Sequence, residues 1–161
     1  MEVLFMDSPW GKIGLGAGGD FITRLFFSPA ELPASGCLFN KNNAALLEGA
    51  KQLEEYFNGR RREFSLPLHY EGTEFQKKSW EALIQIPYGE TRTYRDIARA
   101  AGNEKAARAA GMANNKNPLP IFIPCHRVIG SNGRLVGYRG GLEVKKILLS
   151  IEKSGISGVI D

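Results

Sequence analysis

The sequence predicts a mixed α/β (α+β) protein in which a three-stranded sheet with one helix comes first and a winged helix-turn-helix follows. Three observations predict this order. Short apolar runs separated by Pro and Gly open the chain, two threonine-led capping boxes stand in its middle, and an apolar run ending in Pro-Cys-His-Arg comes after them. With 161 residues, of which 43% are hydrophobic, the chain can bury one core and a compact second lobe.

The N-terminal part is predicted to be a meander followed by a helix. Apolar runs at residues 3–6, 13–15 and 21–27 are separated by Pro-Trp-Gly and Gly-Gly-Asp, which favour tight turns. Across residues 43–57 the apolar positions recur with a helical period, and Gly59 is suited to end the helix. One helix packed on three strands is the expected result.

Two capping boxes predict that the middle of the chain is helical. In residues 73–76 and again in residues 93–96, a threonine is followed three residues later by Gln or Asp. The first box opens an amphipathic helix, and the second opens a short helix that Gly102 ends. An alanine-rich helix is predicted from about Glu104 to Ala113. Two short helices joined by a glycine-containing turn predict a helix-turn-helix.

The part of the chain after this motif is predicted to hold a strand, a hairpin and a helix. Residues 121–124, Ile-Phe-Ile-Pro, are typical of a short buried strand. Residues 128–136 predict a hairpin that turns at Asn132-Gly133, because Asn-Gly favours the tightest hairpin turn. A final amphipathic helix is predicted from about Glu143 to Lys153. A hairpin after a helix-turn-helix is the outline of a winged helix.

Charge is unevenly divided along the chain, and we place a domain boundary near Gly72. Residues 1–72 hold 7 Lys and Arg against 9 Asp and Glu, whereas residues 73–161 hold 14 against 8. The basic excess favours a polyanion partner for the second domain, and a solvated basic face is the alternative.

Composition also limits the compartment and the chemistry. No apolar run approaches the roughly 18 residues of a membrane span, and the N-terminus has no basic signal-peptide region, which favours a cytoplasmic protein without a membrane partner. The two cysteines, Cys37 and Cys125, are too few for a disulfide scaffold. Cys37 and His69 are too few for a zinc site, so we expect neither a metal nor a cofactor.

Cys125 stands in the most informative segment, Pro-Cys-His-Arg at residues 124–127. A cysteine is nucleophilic as the thiolate, and its ordinary pKa of about 8.5 must be lowered by a neighbouring base or cation, a role open to His126 and Arg127. Adjacent side chains on a strand point to opposite faces, so we expect a bridging water between the thiol and the imidazole. The alternative for Cys125 and His126 is structural, as a small buried thiol and a hydrogen-bonded core histidine.

A longer string around Cys125 favours the catalytic interpretation. Residues 117–129, Asn-Pro-Leu-Pro-Ile-Phe-Ile-Pro-Cys-His-Arg-Val-Ile, closely resemble the active-site motif of the O6-alkylguanine-DNA alkyltransferases, also called methylated-DNA–protein-cysteine methyltransferases. The resemblance covers Thr73 to about Ser154, and it implies a ribonuclease-H-like N-terminal lobe before a winged-helix domain. Further matching segments are Tyr94, Ala106-Ala107-Arg108-Ala109, Tyr138-Arg139-Gly140-Gly141-Leu142 and Glu152.

The resemblance implies a role for each catalytic residue. Cys125 is the expected nucleophile and alkyl acceptor in a single-turnover reaction, because the chain offers no group suited to break the thioether. His126 is expected to take the thiol proton through a water, and Glu152 to orient and stabilise the imidazolium. Asn117 is expected to organise the supporting turn. Tyr94 is expected to donate a proton or hydrogen bond to the departing guanine, with packing on the preceding helix as the alternative.

The resemblance also implies how the chain meets DNA. The expected partner is double-stranded DNA containing O6-alkylguanine, mainly O6-methylguanine with O4-methylthymine as a second candidate, bound in the minor groove by a monomer that flips the damaged base. Arg108 is expected to enter the base stack, with a phosphate contact as the alternative, and the small Ala107 allows close approach. Tyr138 and Arg139 border the expected base pocket, where Arg139 either narrows the pocket or binds phosphate.

Three other functions fit parts of the sequence. A non-catalytic module that recognises alkylated DNA would resemble this family but would lack Cys125. A cysteine hydrolase would use Cys125 and His126, yet the sequence shows no oxyanion-hole loop. A transcriptional regulator with an attached repair activity would need a second DNA-binding domain, for which the sequence has no spare residues.

Overall fold

The computed structural model describes residues 1–158, which divide into two units between Tyr70 and Glu71. The first unit is a sheet with one helix on it. Its strands, which lie in the order β3-β2-β1-β4, are β1 (Glu2–Ser8), β2 (Gly11–Gly18), β3 (Phe21–Phe26) and β4 (Leu38–Phe39). The predicted antiparallel meander of β1, β2 and β3 is confirmed. Strand β4 pairs in parallel with β1 and was not predicted, because two residues carry no alternating pattern.

The helix α1 (Ala44–Phe57) packs on this sheet and confirms the predicted helix. The side chain of Asn43 caps its first turn by accepting a hydrogen bond from the amide of Leu46. Close packing explains Gly49, since a Cβ there would lie 2.6 Å from Cδ1 of Ile22 on β3. The buried apolar side chains of this unit include Val3, Ile13, Leu15, Ala17, Ile22, Leu25, Leu46, Leu53 and Tyr56.

The second unit contains the helix-turn-helix. Its first elements are α2 (Glu74–Ile84), β5 (Arg92–Thr93), α3 (Tyr94–Ala100) and α4 (Ala107–Asn115). Helices α3 and α4 form the predicted motif, and α2 packs against both. Trp80 of α2 is 2% exposed, and its Nε1 donates a hydrogen bond to the carbonyl of Ala113 on α4 at 2.9 Å. The indole therefore fixes the second helix of the motif to the core.

Both predicted capping boxes are present in this unit. Thr73 and Thr93 each accept a hydrogen bond from the amide three residues on, and that residue's side chain accepts one in return. Helix α4 begins at Ala107 rather than at about Glu104 as predicted. The cause is Asn103, which accepts hydrogen bonds from the amides two and three residues after it and so holds the chain in a turn.

Residues 121–124 form a turn rather than the predicted strand. The amide of Ile123 donates to the carbonyl of Leu119 at 2.8 Å, and Ile121 has a φ of +75°, in the left-handed region that β-branched residues rarely adopt. The next residues, Cys125–Arg127, form a short 3-10 helix, so the strand-like alternation of side chains expected at Cys125 is absent.

The predicted wing is a turn without a second strand. Strand β6 (Val128–Ile129) pairs in parallel with β5 rather than with the residues that follow it. The turn at Asn132-Gly133 forms, since the amide of Gly130 donates to the carbonyl of Arg134 at 2.8 Å. Residues 134–138 have no regular structure, so the predicted hairpin was wrong in its second strand.

The last helix of the described residues is α5 (Leu142–Gly158), which confirms the predicted final helix and extends beyond Lys153. Its Val144 and Leu148 are buried in the core of the second unit. Residues 159–161, with which the predicted second domain ends, lie outside the described residues. Within residues 1–158, no helix combines the length and the apolar content that crossing a membrane requires.

Candidate active site

Cys125 lines a pocket in the second unit. The short 3-10 helix places its side chain beside α3, α4 and residues 136–139, and the residue is 4% exposed. The cavity has a volume of about 480 Å³, which lies in the range of small-molecule sites. Its walls include Tyr94 of α3, Arg108 of α4, Tyr138 and Arg139. Four predicted site residues therefore surround the same cavity as the thiol.

A buried ionic network begins at His126, the residue after the thiol. Nε2 of His126 lies 2.5 Å from Oε2 of Glu152, and the two side chains are 0% and 1% exposed. Oε1 of Glu152 also accepts hydrogen bonds from Nε of Arg127 at 2.8 Å and from the amide of Gly89 at 3.1 Å. Glu152 thus orients the imidazole and has its own charge compensated.

Burial and hydrogen bonds set the charges of this network. Burial lowers the pKa of His126, so its imidazole is neutral at pH 7. Burial favours the neutral form of Glu152, but the hydrogen bonds with His126 and Arg127 and the charge of Arg127 outweigh it and lower the pKa of the carboxyl. A neutral imidazole beside a fixed carboxylate is a proton acceptor whose charged form is stabilised in advance.

Arg127 does not act on the thiol as predicted. Its guanidinium donates hydrogen bonds to Glu152, and its Nη1 donates to the carbonyl of Ile86 at 2.6 Å. The cations that act on Cys125 are instead Arg139 and Lys145. Burial raises the pKa of the Cys125 thiol, and a hydrogen bond with Asn117 and these two charges oppose the rise. Because burial outweighs them, the thiol needs a base to become a thiolate.

Asn117 has the contacts that organising a turn requires. Its Nδ2 donates to the carbonyl of Ile123 at 2.8 Å, and its Oδ1 accepts from the amide of Leu119 at 2.9 Å. Both bonds cross the turn that leads into Cys125. The side chain is 1% exposed, so these bonds also satisfy its own buried polar atoms.

Lys145 is a site residue that the sequence reasoning missed. It is fully buried, and its Nζ donates to the carbonyls of Val136 and Gly137 at 3.2 and 3.3 Å. The hydroxyl of Tyr94 donates to the same Val136 carbonyl at 2.9 Å. The available signal was spacing, because a residue seven positions before Glu152 lies on the same, buried face of a helix.

Arg139 holds the neighbouring part of the pocket wall. Its Nη1 donates to the carbonyls of Asn115 at 3.2 Å and Asn117 at 2.8 Å. These bonds join the irregular segment to the end of α4. Of the two predicted roles for Arg139, the contacts favour shaping the pocket.

Ala107 and Arg108 are the first two residues of α4, the second helix of the helix-turn-helix. Arg108 is exposed, lines the cavity, and makes no hydrogen bond or ion pair within residues 1–158. Ala107 is half-buried at the first position of the helix and does not line the cavity. The free guanidinium is available to a ligand outside the protein.

The first unit holds the other residues considered for a metal. Cys37 is a half-buried free thiol, and the His69 ring packs edge-on against Phe21 with a centroid distance of 6.1 Å. Among the residues that the structure describes, no group of three or more His, Cys, Asp and Glu is arranged to hold a metal ion.

Fold and site together define a protein that combines a helix-turn-helix with a buried cysteine in one pocket. The family model for the DNA binding domain of 6-O-methylguanine DNA methyltransferase matches residues 74–154, and that for its ribonuclease-like domain matches residues 3–70. The chain belongs to the O6-methylguanine DNA methyltransferase family.

Relatives of nearly equal length support this membership. Methylated-DNA–protein-cysteine methyltransferase of Methanosarcina barkeri is 46% identical over 155 residues, covering 94% of this chain and 96% of the relative. The constitutive enzyme of Bacillus subtilis is 49% identical over 152 residues, covering 91% and 92%. The crystal structure of Mycobacterium tuberculosis OGT in complex with DNA has a TM-score of 0.89 and 41% identity, covering 96% of this chain and 94% of that one.

Proposed function

We propose that this protein repairs DNA by moving an alkyl group from O6 of guanine to Sγ of Cys125, once per protein molecule. One observation carries the proposal: the buried thiol shares a cavity of about 480 Å³ with Tyr94 and Arg108 of the helix-turn-helix. An alkylated base stacked in a duplex is out of reach of such a thiol, so the nucleotide must be flipped into the pocket.

Transfer is a substitution at the alkyl carbon. Cys125 loses its proton to His126 through a bridging water, and the thiolate sulfur bonds the alkyl carbon while the bond from that carbon to O6 breaks. The electron pair of the broken bond goes to the guanine. Glu152, 2.5 Å from Nε2 of His126, stabilises the imidazolium that forms. The thioether product is stable, because the pocket holds no group suited to break a carbon–sulfur bond.

Tyr94 assists the departure of guanine. Its hydroxyl donates to the Val136 carbonyl at 2.9 Å in the free protein, and it turns to the base when the pocket is filled. Burial, and then the charge of Cys125, raise the pKa of Tyr94, so the hydroxyl keeps its proton at pH 7 and remains a donor. Donation of a hydrogen bond or a proton lets guanine leave as a neutral base.

Arg108 and Ala107 are the proposed contacts with the base stack, in the minor groove. The exposed Arg108 side chain fills the space that the flipped nucleotide leaves, and the small Ala107 allows the helix to come close. Tyr138 and Arg139 border the flipped base. Arg139 does so while bonded to two backbone carbonyls, so it keeps the pocket in shape around the base.

We propose that residues 73–161 carry both DNA binding and transfer, and that residues 1–72 form a separate ribonuclease-H-like lobe. The family matches to residues 74–154 and 3–70 support this division. The protein acts as a monomer on double-stranded DNA, since one chain supplies the residues around the thiol. It acts in the cytoplasm, where a reducing environment keeps the thiol of Cys125 reactive.

Intact-protein mass spectrometry tests the function. The protein is mixed with an excess of duplex carrying one O6-methylguanine, and any adduct is located by peptide mapping. We expect a gain of one methyl group on Cys125 that saturates at one per protein molecule.

Two variants sharpen this result. Cys125→Ser is expected to gain no methyl group while still binding the duplex, and Cys37→Ser is expected to react like the wild type. If the wild type binds the damaged duplex but gains nothing, the protein is a non-catalytic module that recognises damage.

A further inference from the structure

An ionic cluster of Arg95, Arg99 and Glu104 spans the turn of the helix-turn-helix, and Nη1 of Arg99 also lies 4.0 Å from Oδ1 of Asp96. Oε1 of Glu104 accepts hydrogen bonds from Nε of Arg95 at 2.8 Å and from Nη2 of Arg99 at 2.9 Å. The side chains of Arg95, Arg99 and Glu104 are 67%, 59% and 42% exposed. One carboxylate therefore gathers two guanidinium groups of α3 at the protein surface.

Two guanidinium groups converging on one oxygen form a site for an oxyanion. Arginine binds carboxylate and phosphate oxygens with the same planar donor geometry. Glu104 therefore occupies a place that a phosphate oxygen could fill with the same hydrogen bonds. The hydrogen bonds from Arg99 and Arg95 lower the pKa of Glu104, so the carboxylate is charged at pH 7 and competes with an external anion.

The two arginines of the cluster lie on the first helix of the helix-turn-helix, and Glu104 lies in the turn that follows it. The first helix of such a motif crosses the phosphates while the second enters a groove. Arg95 directly follows Tyr94, and Glu104 comes four residues before Arg108. Tyr94 and Arg108 both line the pocket of Cys125, so the two helices that flank the cluster also border that pocket.

We propose that Arg95 and Arg99 form a contact for a DNA phosphate, and that Glu104 occupies this contact in the free protein. The inference rests on the proposed function, since it places the backbone of the same duplex beside the pocket. Glu104 is a positioning residue that holds the two side chains together in the absence of DNA. It must also be displaced when phosphate binds, and its charge then weakens binding to any duplex.

The cluster has a consequence for selectivity. Because Glu104 competes with any DNA phosphate, it weakens binding to the backbone of damaged and undamaged DNA equally. Insertion of an alkylated base into the pocket, by contrast, occurs only at a lesion. When binding to the backbone is weak, the contacts of the flipped base in the pocket determine at which DNA positions the protein remains bound. Loss of Glu104 is expected to tighten binding to undamaged DNA and to reduce the preference for a lesion.

The test is fluorescence anisotropy with an undamaged labelled duplex at several salt concentrations. Glu104→Gln is expected to bind about fivefold more tightly than wild type at low salt, the order that one surface charge interaction gives. The double variant Arg95→Gln/Arg99→Gln is expected to bind more weakly, with a slope of log K against log salt reduced by about 1.8.

Glu143→Gln is the matched control, because Glu143 is an exposed acid of α5 that pairs with Lys146 at 3.5 Å. It removes the same charge elsewhere on the unit and is expected to change binding little. Equal effects of the two glutamate variants, an unchanged salt slope in the arginine double variant, or weaker binding by a folded Glu104→Gln protein would each overturn the inference.

The inference and the proposed function fail in different ways. If wild type binds duplex and methylates Cys125 but the cluster variants behave as wild type, only the phosphate contact is wrong. If wild type binds no duplex, both are wrong. The melting temperature of each variant, measured by circular dichroism, distinguishes altered DNA binding from altered folding.

Discussion

Nε2 of His126 and Oε2 of Glu152 lie 2.5 Å apart with both side chains buried, which makes this pair the main orienting contact of the site. Glu152→Gln removes the charge that stabilises the imidazolium. We expect transfer from methylated duplex to slow by about a hundredfold, the usual scale for a lost general-base contribution. The measurement is a single-turnover rate, with the exposed Glu143→Gln on the same helix as the control. An unchanged rate would remove Glu152 from the mechanism.

The same pair predicts how stability depends on pH. Burial lowers the pKa of His126 below its ordinary 6.5, and the pKa of Glu152 is lower than its ordinary 4.5 because hydrogen bonds from His126 and Arg127 outweigh burial. Both groups thus bind fewer protons in the folded state than in the unfolded state. Stability is complete above about pH 6.5, begins to fall below it as His126 is forced to protonate, and falls further below about 4.5.

Urea unfolding at several pH values between about pH 3 and pH 7 measures this dependence. The chain has two tryptophans, and in a Trp10→Phe background the fluorescence of Trp80 reports on the second unit alone. Glu152→Gln in that background is expected to lower the free energy of unfolding at pH 7 and to make it depend less on pH in the acid range. A free energy of unfolding of the wild type that does not change through the acid range would contradict the lowered pKa values of His126 and Glu152.

Lys145 is expected to control the reactivity of the thiol. Burial raises the pKa of Cys125, and the charge of Lys145 is one of the effects that oppose this rise. In a Cys37→Ser background, Lys145→Met should shift the pH midpoint of Cys125 alkylation by iodoacetamide upward and slow methyl transfer by about a few-fold, because a charge that stabilises the thiolate is lost.

Two further variants identify the origin of that effect. Lys145→Arg keeps a charge that can donate to the Val136 carbonyl and is expected to restore much of the reactivity. The exposed neighbour Lys146→Met is the control and is expected to leave the midpoint unchanged. A midpoint that stays at the wild-type value in Lys145→Met would show that the residue only fills space.

Arg108→Ala is expected to separate base flipping from chemistry. The side chain makes no hydrogen bond within the described residues, so its removal should leave the fold intact. Transfer from duplex should fall by about tenfold or more, because an inserted side chain offsets a few kcal/mol of lost stacking. Reaction with free O6-methylguanine should be unchanged, and equal slowing with both substrates would rule out the insertion role.

Local sequence signals predicted the elements that local contacts stabilise. Thr73 and Thr93 cap their helices through bonds within four residues, so the sequence around each one contains the whole interaction. The tryptophan bond that fixes α4 joins Trp80 to Ala113 across 33 residues, and no local pattern indicates it. The helix-turn-helix was therefore predictable, and its attachment to the core was not.

The errors have two physical origins, an apolar run that fits more than one local structure and a contact between distant residues. Ile-Phe-Ile-Pro at residues 121–124 is a buried apolar run, and burial in a turn produces the same composition as burial in a strand. Two bonds of the Asn117 side chain hold this turn, a role that the family resemblance implied but that the apolar pattern of the segment does not indicate. The direction of Arg127, toward Glu152 rather than the thiol, depended on a contact across 25 residues.

The carbonyl of Val136 receives the hydroxyl of Tyr94 and the ammonium of Lys145, so the wall of the pocket is held through its backbone. A backbone acceptor is the same whatever side chain the residue carries. The side chain of Val136 is thus free to vary while the wall stays in place, whereas Gly137 has a φ of +54° that favours glycine and the Tyr138 side chain acts on the thiol of Cys125. Substitutions at Val136, which lines the pocket, can therefore change which alkyl groups fit without moving the backbone that forms the wall.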